Sequence, residues 1–154
     1  MNIAIRVIRN TAKDFVTSLK KESMKASRQA INKCGLQLRN QARKNLKSSG
    51  IHITDSHFGD KLIQGVRAGK TFRKDDKGFA RYVRITKNKR NKQSGWYRLG
   101  WLNHGTQQRF QKTRNNKNVG KLTATNFYDN ALSNFDFKTK YEAEMNKALA
   151  KLKK

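Results

Sequence analysis

The stretch MKASRQAINKCGLQLRNQARKNLKSSG, Met24 to Gly50, decides the fold. Met24, Ser27, Ile31, Cys34, Leu38, Ala42 and Leu46 recur at spacings of three and four, which puts them on one face of a helix. Lys25, Arg28, Arg39, Arg43 and Lys47 occupy the opposite face. Gly50 can take the left-handed conformation that ends a helix. Upstream, Phe15 and Leu19 are four apart, and Asn10 or Thr11 offers a cap, so the pattern predicts one long amphipathic helix over 11–47 with room for a break near Ser23. Ile31 and Leu38 are its expected core positions. Cys34, the single cysteine, falls among them; it cannot form an internal disulfide and suits a reducing compartment.

Working outward, Ile3, Ile5 and Val7 alternate with Arg6, and residues 1–9 read as a short strand. After the helix, SSGIHITDSHFGDK (48–61) has turn-forming residues without periodicity and reads as a loop. LIQGVRAGKTF (62–72), GFARYVRIT (78–86) and GWYRLGWLN (95–103) combine β-branched or aromatic residues with alternation, which predicts an antiparallel β-meander over 62–106. In the second, Phe79, Arg81, Val83 and Ile85 interleave with Ala80, Tyr82 and Arg84, so at least one sheet face is basic. The polar run QQRFQKTRNNKNVGK gives a mobile basic loop over 107–121. TATNFYDNAL then opens a helical region over 125–152, capped by Thr125 or Asn126, whose last part carries Tyr141, Met145, Ala148, Leu149 and Leu152 on one stripe. The expected fold is a single α+β domain over 1–154, its long N-terminal helix and C-terminal helix packed on a small antiparallel sheet.

Charge separates this chain from ordinary globular domains. Lys and Arg number 36 against 10 Asp and Glu, a formal net charge of +26. Residues 61–120 hold 17 of the basic groups and 2 of the acidic ones, so the excess is concentrated in the middle. Such an excess opposes compaction unless a polyanion or an acidic partner offsets it. Lys87, Lys89, Arg90 and Lys92, with Arg109, Lys112, Arg114 and Lys117, are the candidate polyanion-contacting residues, for sequence-independent contact with DNA phosphates. Trp96, Tyr97, Trp101 and Phe110 could stack on bases, but their alternation fits a buried strand face and favours a core role. No run approaches the roughly 18 apolar residues of a membrane span. MNIAIRVIRN lacks the unbroken apolar core of a secretion signal.

Motifs for chemistry are sparse. HITDSH offers His52, Asp55 and His57 at best to a metal, and reads as exposed loop histidines. His104 has no acidic residue or nucleophile near it in sequence and reads as a turn residue at a strand end. With no phosphate-cradling glycine loop or nucleophile elbow, the sequence predicts neither an enzyme nor a cofactor site.

The order of these elements, with GDKLIQGV, LNHGT and NFYDNAL at fixed places along it, resembles the phage tail-component family of the Hong Kong-type lambdoid phages. These are small virion proteins of the head–tail junction. Their Gly-x-Leu segment is similar to Gly59, Leu62 and Val66, their apolar-x-Gly-Thr motif to Leu102, Gly105 and Thr106, and their aromatic-led helix to Phe127, Ala131 and Leu132. The family commonly has prolines flanking these elements and Glu where His104 stands; this sequence has no proline. The resemblance implies a structural neck or tail-completion subunit, assembled as a homo-oligomeric ring among other phage neck and tail proteins. The residues alone leave two other classes open: a free-standing basic DNA- or RNA-binding protein, and a small nuclease dependent on His104.

Overall fold

Helix α1 runs without interruption from Ile3 to Ser48 in the computed structural model. The structure describes residues 3–50, 62–74, 78–86, 96–108, 110–111, 117–118 and 120–152; for 3–15, 96–97, 110–111, 117 and 152 it describes the backbone only. The strand expected over 1–9 is instead the start of α1, and no break falls near Ser23. A lone strand needs a partner for its backbone N–H and C=O groups, whereas a helix satisfies them within itself, so extending α1 wins over three alternating apolar residues. At the other end Gly50 has φ +69°, the left-handed conformation expected of a helix stop.

The remaining elements are β1 (Val66–Ala68), β2 (Phe72–Arg73), β3 (Phe79–Ala80), β4 (Val83–Ile85), α2 (Trp96–His104), β5 (Phe110–Gln111), β6 (Lys117–Asn118), α3 (Phe127–Ser133) and α4 (Phe137–Leu152). The fold class is therefore α+β, with long N-terminal and C-terminal helices and small antiparallel β pairs. In place of one meander, the described strands form three two-stranded pairs, β1 with β4, β2 with β3 and β5 with β6. GWYRLGWLN is helical as α2, a correction to the strand expected there. Its buried residues are Leu99, Leu102 and Asn103, spaced by helical rather than strand periodicity, while Trp101 is exposed.

The chain divides into two compact units. One comprises 1–34, 70–81 and 136–154. In it Ala26, Ala30 and Cys34 of α1 and Ala148 of α4 are buried, and the Ser27 hydroxyl lies 2.9 Å from the Tyr141 hydroxyl. Ile31, expected in the core, is only half-buried: the buried face is centred on the alanines, whose small side chains let a second helix approach closely. Hairpin β2–β3 pairs Phe72 with Ala80 and Arg73 with Phe79, closed by the Lys74 N–H donating to the Gly78 carbonyl at 2.8 Å. Arg81 donates to the Asn32 backbone carbonyl at 2.8 Å and also to its side-chain oxygen. Asp136 accepts the Thr139 N–H at 3.1 Å and so caps α4. The stripe expected on α4 holds as far as Leu149: Ala148 is buried, Tyr141, Met145 and Leu149 are half-buried, and Lys140, Lys147 and Lys151 are exposed, while the Leu152 side chain lies outside the described ones.

The other unit comprises 35–69 and 82–135. Its core gathers Ala42 and Leu46 of α1, Leu62, Ile63, Val66 of β1, Leu99 and Leu102 of α2, and Phe127 and Ala131 of α3. Leu38, Ile85, Leu122 and Tyr128 pack against it, partly buried. Every charged group on this stretch of α1 lies off that line, as the sequence periodicity requires.

Candidate functional site

The most densely bonded part of this unit is the end of α2 and the segment that runs along it into α3. Helix α2 stops because Gly105 adopts φ +75°. No other residue fits: a Cβ there would lie 2.8 Å from the Leu122 carbonyl oxygen and 3.0 Å from the Ala124 nitrogen. The backbones of 105–106 and 122–124 are thus in direct contact. Thr106 N–H donates to the Leu122 carbonyl at 3.0 Å, and Leu122 N–H donates back to the Thr106 hydroxyl at 3.0 Å.

The last carbonyls of α2 have partners from the same segment. Leu102 C=O accepts the Thr125 N–H at 2.9 Å and the Thr125 hydroxyl at 2.6 Å. Asn103 C=O accepts the Asn126 N–H at 3.0 Å. Thr125 therefore binds α2 rather than capping α3, and Asn126, left-handed at φ 49°, makes no side-chain cap either. The cap of α3 comes from Asn103, fully buried, whose side-chain oxygen accepts the Tyr128 N–H at 2.8 Å. Its side-chain nitrogen donates to Asp129 Oδ2 at 2.8 Å. Asn45 of α1 donates to the Phe127 carbonyl at 3.2 Å, fixing α3 from a second side. The Tyr128 hydroxyl donates to the Val83 carbonyl of β4; burial, with the Asp129 charge adding to it, pushes that phenol above its ordinary range.

His104 Nδ1 lies 3.7 Å from Asp129 Oδ2, across 25 residues of sequence, and both side chains are largely exposed. This supplies the acidic partner that proximity in sequence does not. His104 also lines an open groove with Gln107, Gln108, Lys121 and Thr123. Among the described residues no cluster of three or more His, Cys, Asp or Glu could hold a metal ion.

Of the residues singled out from sequence, Leu62, Leu102 and Phe127 meet in the core, and Gly105 and Thr106 make the backbone junction that brings them there. Gly59, His52, Asp55 and His57 lie outside the described residues. So do Lys87, Lys89, Arg90, Lys92, Arg109, Lys112 and Arg114; Lys117 is described only through its backbone, which pairs with Gln111 in β5–β6. Of the loop expected over 107–121, residues 109, 112–116 and 119 likewise fall outside them, and Phe110 pairs with Asn118 within it. Asn103 escaped the sequence reading because a buried polar residue leaves no trace in hydrophobic periodicity; its place in LNHGT, next to a glycine helix stop, was the available signal.

Neither a family model, nor a curated protein, nor a solved structure matches this chain. Among the described residues no helix is long and apolar enough to cross a membrane.

Proposed function

We propose that the chain is a structural subunit of a phage virion, a tail-completion or neck protein of the head–tail junction that assembles into a ring with other neck and tail proteins. The observation that carries this reading is the junction between Leu102–Thr106 and Leu122–Phe127. The resemblance rests on short motifs far apart in sequence, and Leu62, Val66, Leu102, Phe127 and Ala131 of them converge on one core, with Gly105 where only glycine fits, while Leu132 is exposed. That convergence supports treating the motifs as parts of one design. In this reading the bonded junction is scaffolding, and the basic stretches of sequence at 87–92 and 109–117 serve for contact with DNA or acidic virion surfaces.

The test is the oligomeric state of nuclease-treated, nucleic-acid-free protein over a range of concentrations, by light scattering and electron microscopy. A closed ring that grows in with concentration supports the reading. A monomer at all concentrations, unchanged by co-expressed neighbouring virion proteins, overturns it. The net charge of +26 favours a second reading, a free-standing nucleic-acid-binding protein, which predicts that monomer together with tight binding to DNA or RNA.

A further inference from the structure

Helix α1 begins well before the part of it that is packed. Among its described side chains the first buried position is Ala26, followed by Ala30 and Cys34, whereas every residue from Val16 to Ser23 is exposed. Two of these are large and apolar: Val16 is 63% exposed and Leu19 49%. Upstream the backbone stays helical to Ile3. A helix in a protein takes most of its stability from packing an apolar face, and two turns exposed on all sides lack that support within the single chain.

The sequence of this arm carries a seam. Ile5, Ile8, Ala12, Phe15 and Leu19 follow one another at spacings of three, four, three and four. That repeat is the one that keeps a helix seated along another helix. Ala26 lies one heptad beyond Leu19 and is buried, so the line of the seam runs into the side of α1 that is already packed. Glu22 takes the place between them and ends the apolar line.

The charge pattern says what the second helix belongs to. Arg6, Lys13, Asp14, Lys20 and Lys21 hold positions on the side of the helix away from the seam. The positions flanking the seam belong to Ala4, Thr11 and Ser18 along one edge and to Arg9, Val16 and Ser23 along the other, so Arg9 is the one charge beside it. An anionic lipid surface or an acidic protein would be met by cations at the edges of the apolar stripe, and this arm keeps them behind it. A helix of like charge needs the reverse, edges that leave the seam clear of repulsion, and a second copy of this chain is such a helix.

Net charge also selects the direction of the pair. Each chain carries +26, so a parallel pair would bring two strongly basic bodies side by side. Antiparallel seating centred at position 10 sets position 5 opposite 15 and position 8 opposite 12. It parts the two Ala26 positions by about 48 Å along the axis, several times the roughly 8 Å screening length at physiological salt.

We propose that the arm of α1 from Ile3 to Ser23 is a dimerisation element, pairing antiparallel with the same arm of a second copy along Ile5, Ile8, Ala12, Phe15 and Leu19. Such a pair closes on itself about a two-fold axis, so the proposal goes beyond the ring reading and does not rest on it.

The experiment is sedimentation equilibrium of the full-length, nuclease-treated protein over a concentration series at physiological salt. Leu19→Glu sets a charge on the seam at a residue exposed in the single chain. Thermal unfolding should therefore persist, while the dimer dissociation constant rises by about a hundred-fold or more as two apolar side chains lose their cover. Lys20→Gln, the next residue but off the seam, should leave that constant unchanged or lower it. The helical circular dichroism signal of the native protein should fall on dilution as the arms separate. Spin labels at Asn10→Cys or Lys21→Cys, each with Cys34→Ala, report direction: antiparallel arms part the two Lys21 labels by about 33 Å along the axis and the two Asn10 labels by almost nothing, whereas parallel arms give matching distances. A Leu19→Glu variant that associates as the native protein does overturns the proposal and leaves the ring reading standing. Matching label distances overturn the antiparallel pairing. A native monomer at every concentration overturns the proposal too, as does capture of that monomer by vesicles of anionic phospholipid, which would assign the arm to a membrane surface.

Discussion

The side-chain oxygen of Asn103 accepts the backbone N–H of Tyr128 at 2.8 Å, so the last turn of one helix caps the first turn of another. A helix start leaves several N–H groups without internal partners, and α3 takes its partner from α2. Asn103→Ala strands that N–H and removes the donor to Asp129, at a side chain that is itself fully buried. Unfolding in urea should register a loss of about 1–3 kcal/mol. Asn103→Asp keeps the acceptor but sets a second carboxylate against Asp129, and should be no better than alanine at neutral pH.

Gly105 carries two constraints, and they can be separated. Its φ of +75° disfavours any side chain, and its Cβ position is already occupied by the Leu122 carbonyl. Asparagine tolerates left-handed backbone better than alanine does. If conformation alone mattered, Gly105→Asn would recover much of the stability lost in Gly105→Ala. The approach of 2.8 Å predicts that both fall together, by about 1–3 kcal/mol or more, in thermal unfolding.

Along α1 the depth of burial sets the cost of truncation. Leu46 is fully buried and Leu38 only partly so. Leu46→Ala should cost about 2–5 kcal/mol, and Leu38→Ala less, since solvent or neighbouring side chains can fill part of the space vacated. Equal losses would mean that Leu38 is covered in solution by something beyond this chain, and the difference should then vary with protein concentration.

Asp136 gives an acid limb to stability. Its hydrogen bonds with Thr139 hold the carboxyl below the usual carboxylate value. A group depressed on folding contributes stability above its unfolded pKa and loses it as pH falls through the folded value, because protonation abolishes the charged acceptor. Helicity of α4 should therefore decline below the ordinary carboxylate range in the native protein, and Asp136→Asn should flatten that limb. A parallel acid profile in the two proteins would remove Asp136 from the account.

Cys34 is almost wholly buried, and burial followed by the nearby Glu144 charge raises its thiol. Alkylation of native protein at neutral pH should accordingly be slow, and should become fast in denaturant, as mass spectrometry can follow.

The sequence by itself determined the features that depend on neighbours along the chain. The spacing of Cys34, Leu38, Ala42 and Leu46 specified which side of α1 is buried, Gly50 marked its end, and the stripe from Tyr141 to Leu149 specified α4. These follow from helix geometry, which repeats every few residues and needs no distant partner to be read. Tertiary structure alone decided the rest. GWYRLGWLN supports a two-residue alternation of Tyr97, Leu99 and Trp101 and a three-residue Leu99 to Leu102 repeat equally well, and packing against Leu46, Val66 and Phe127 selects the helix. The start of α1 was ambiguous for a related reason: Ile3, Ile5 and Val7 could form a strand only with a partner to complete its ladder. Asn103 with Tyr128, His104 with Asp129, and Arg67 with Arg84 are separated by 25, 25 and 17 residues. No local pattern encodes such pairs, because hydrogen bonds and charge repulsion depend on distance in space, which the chain acquires only by folding.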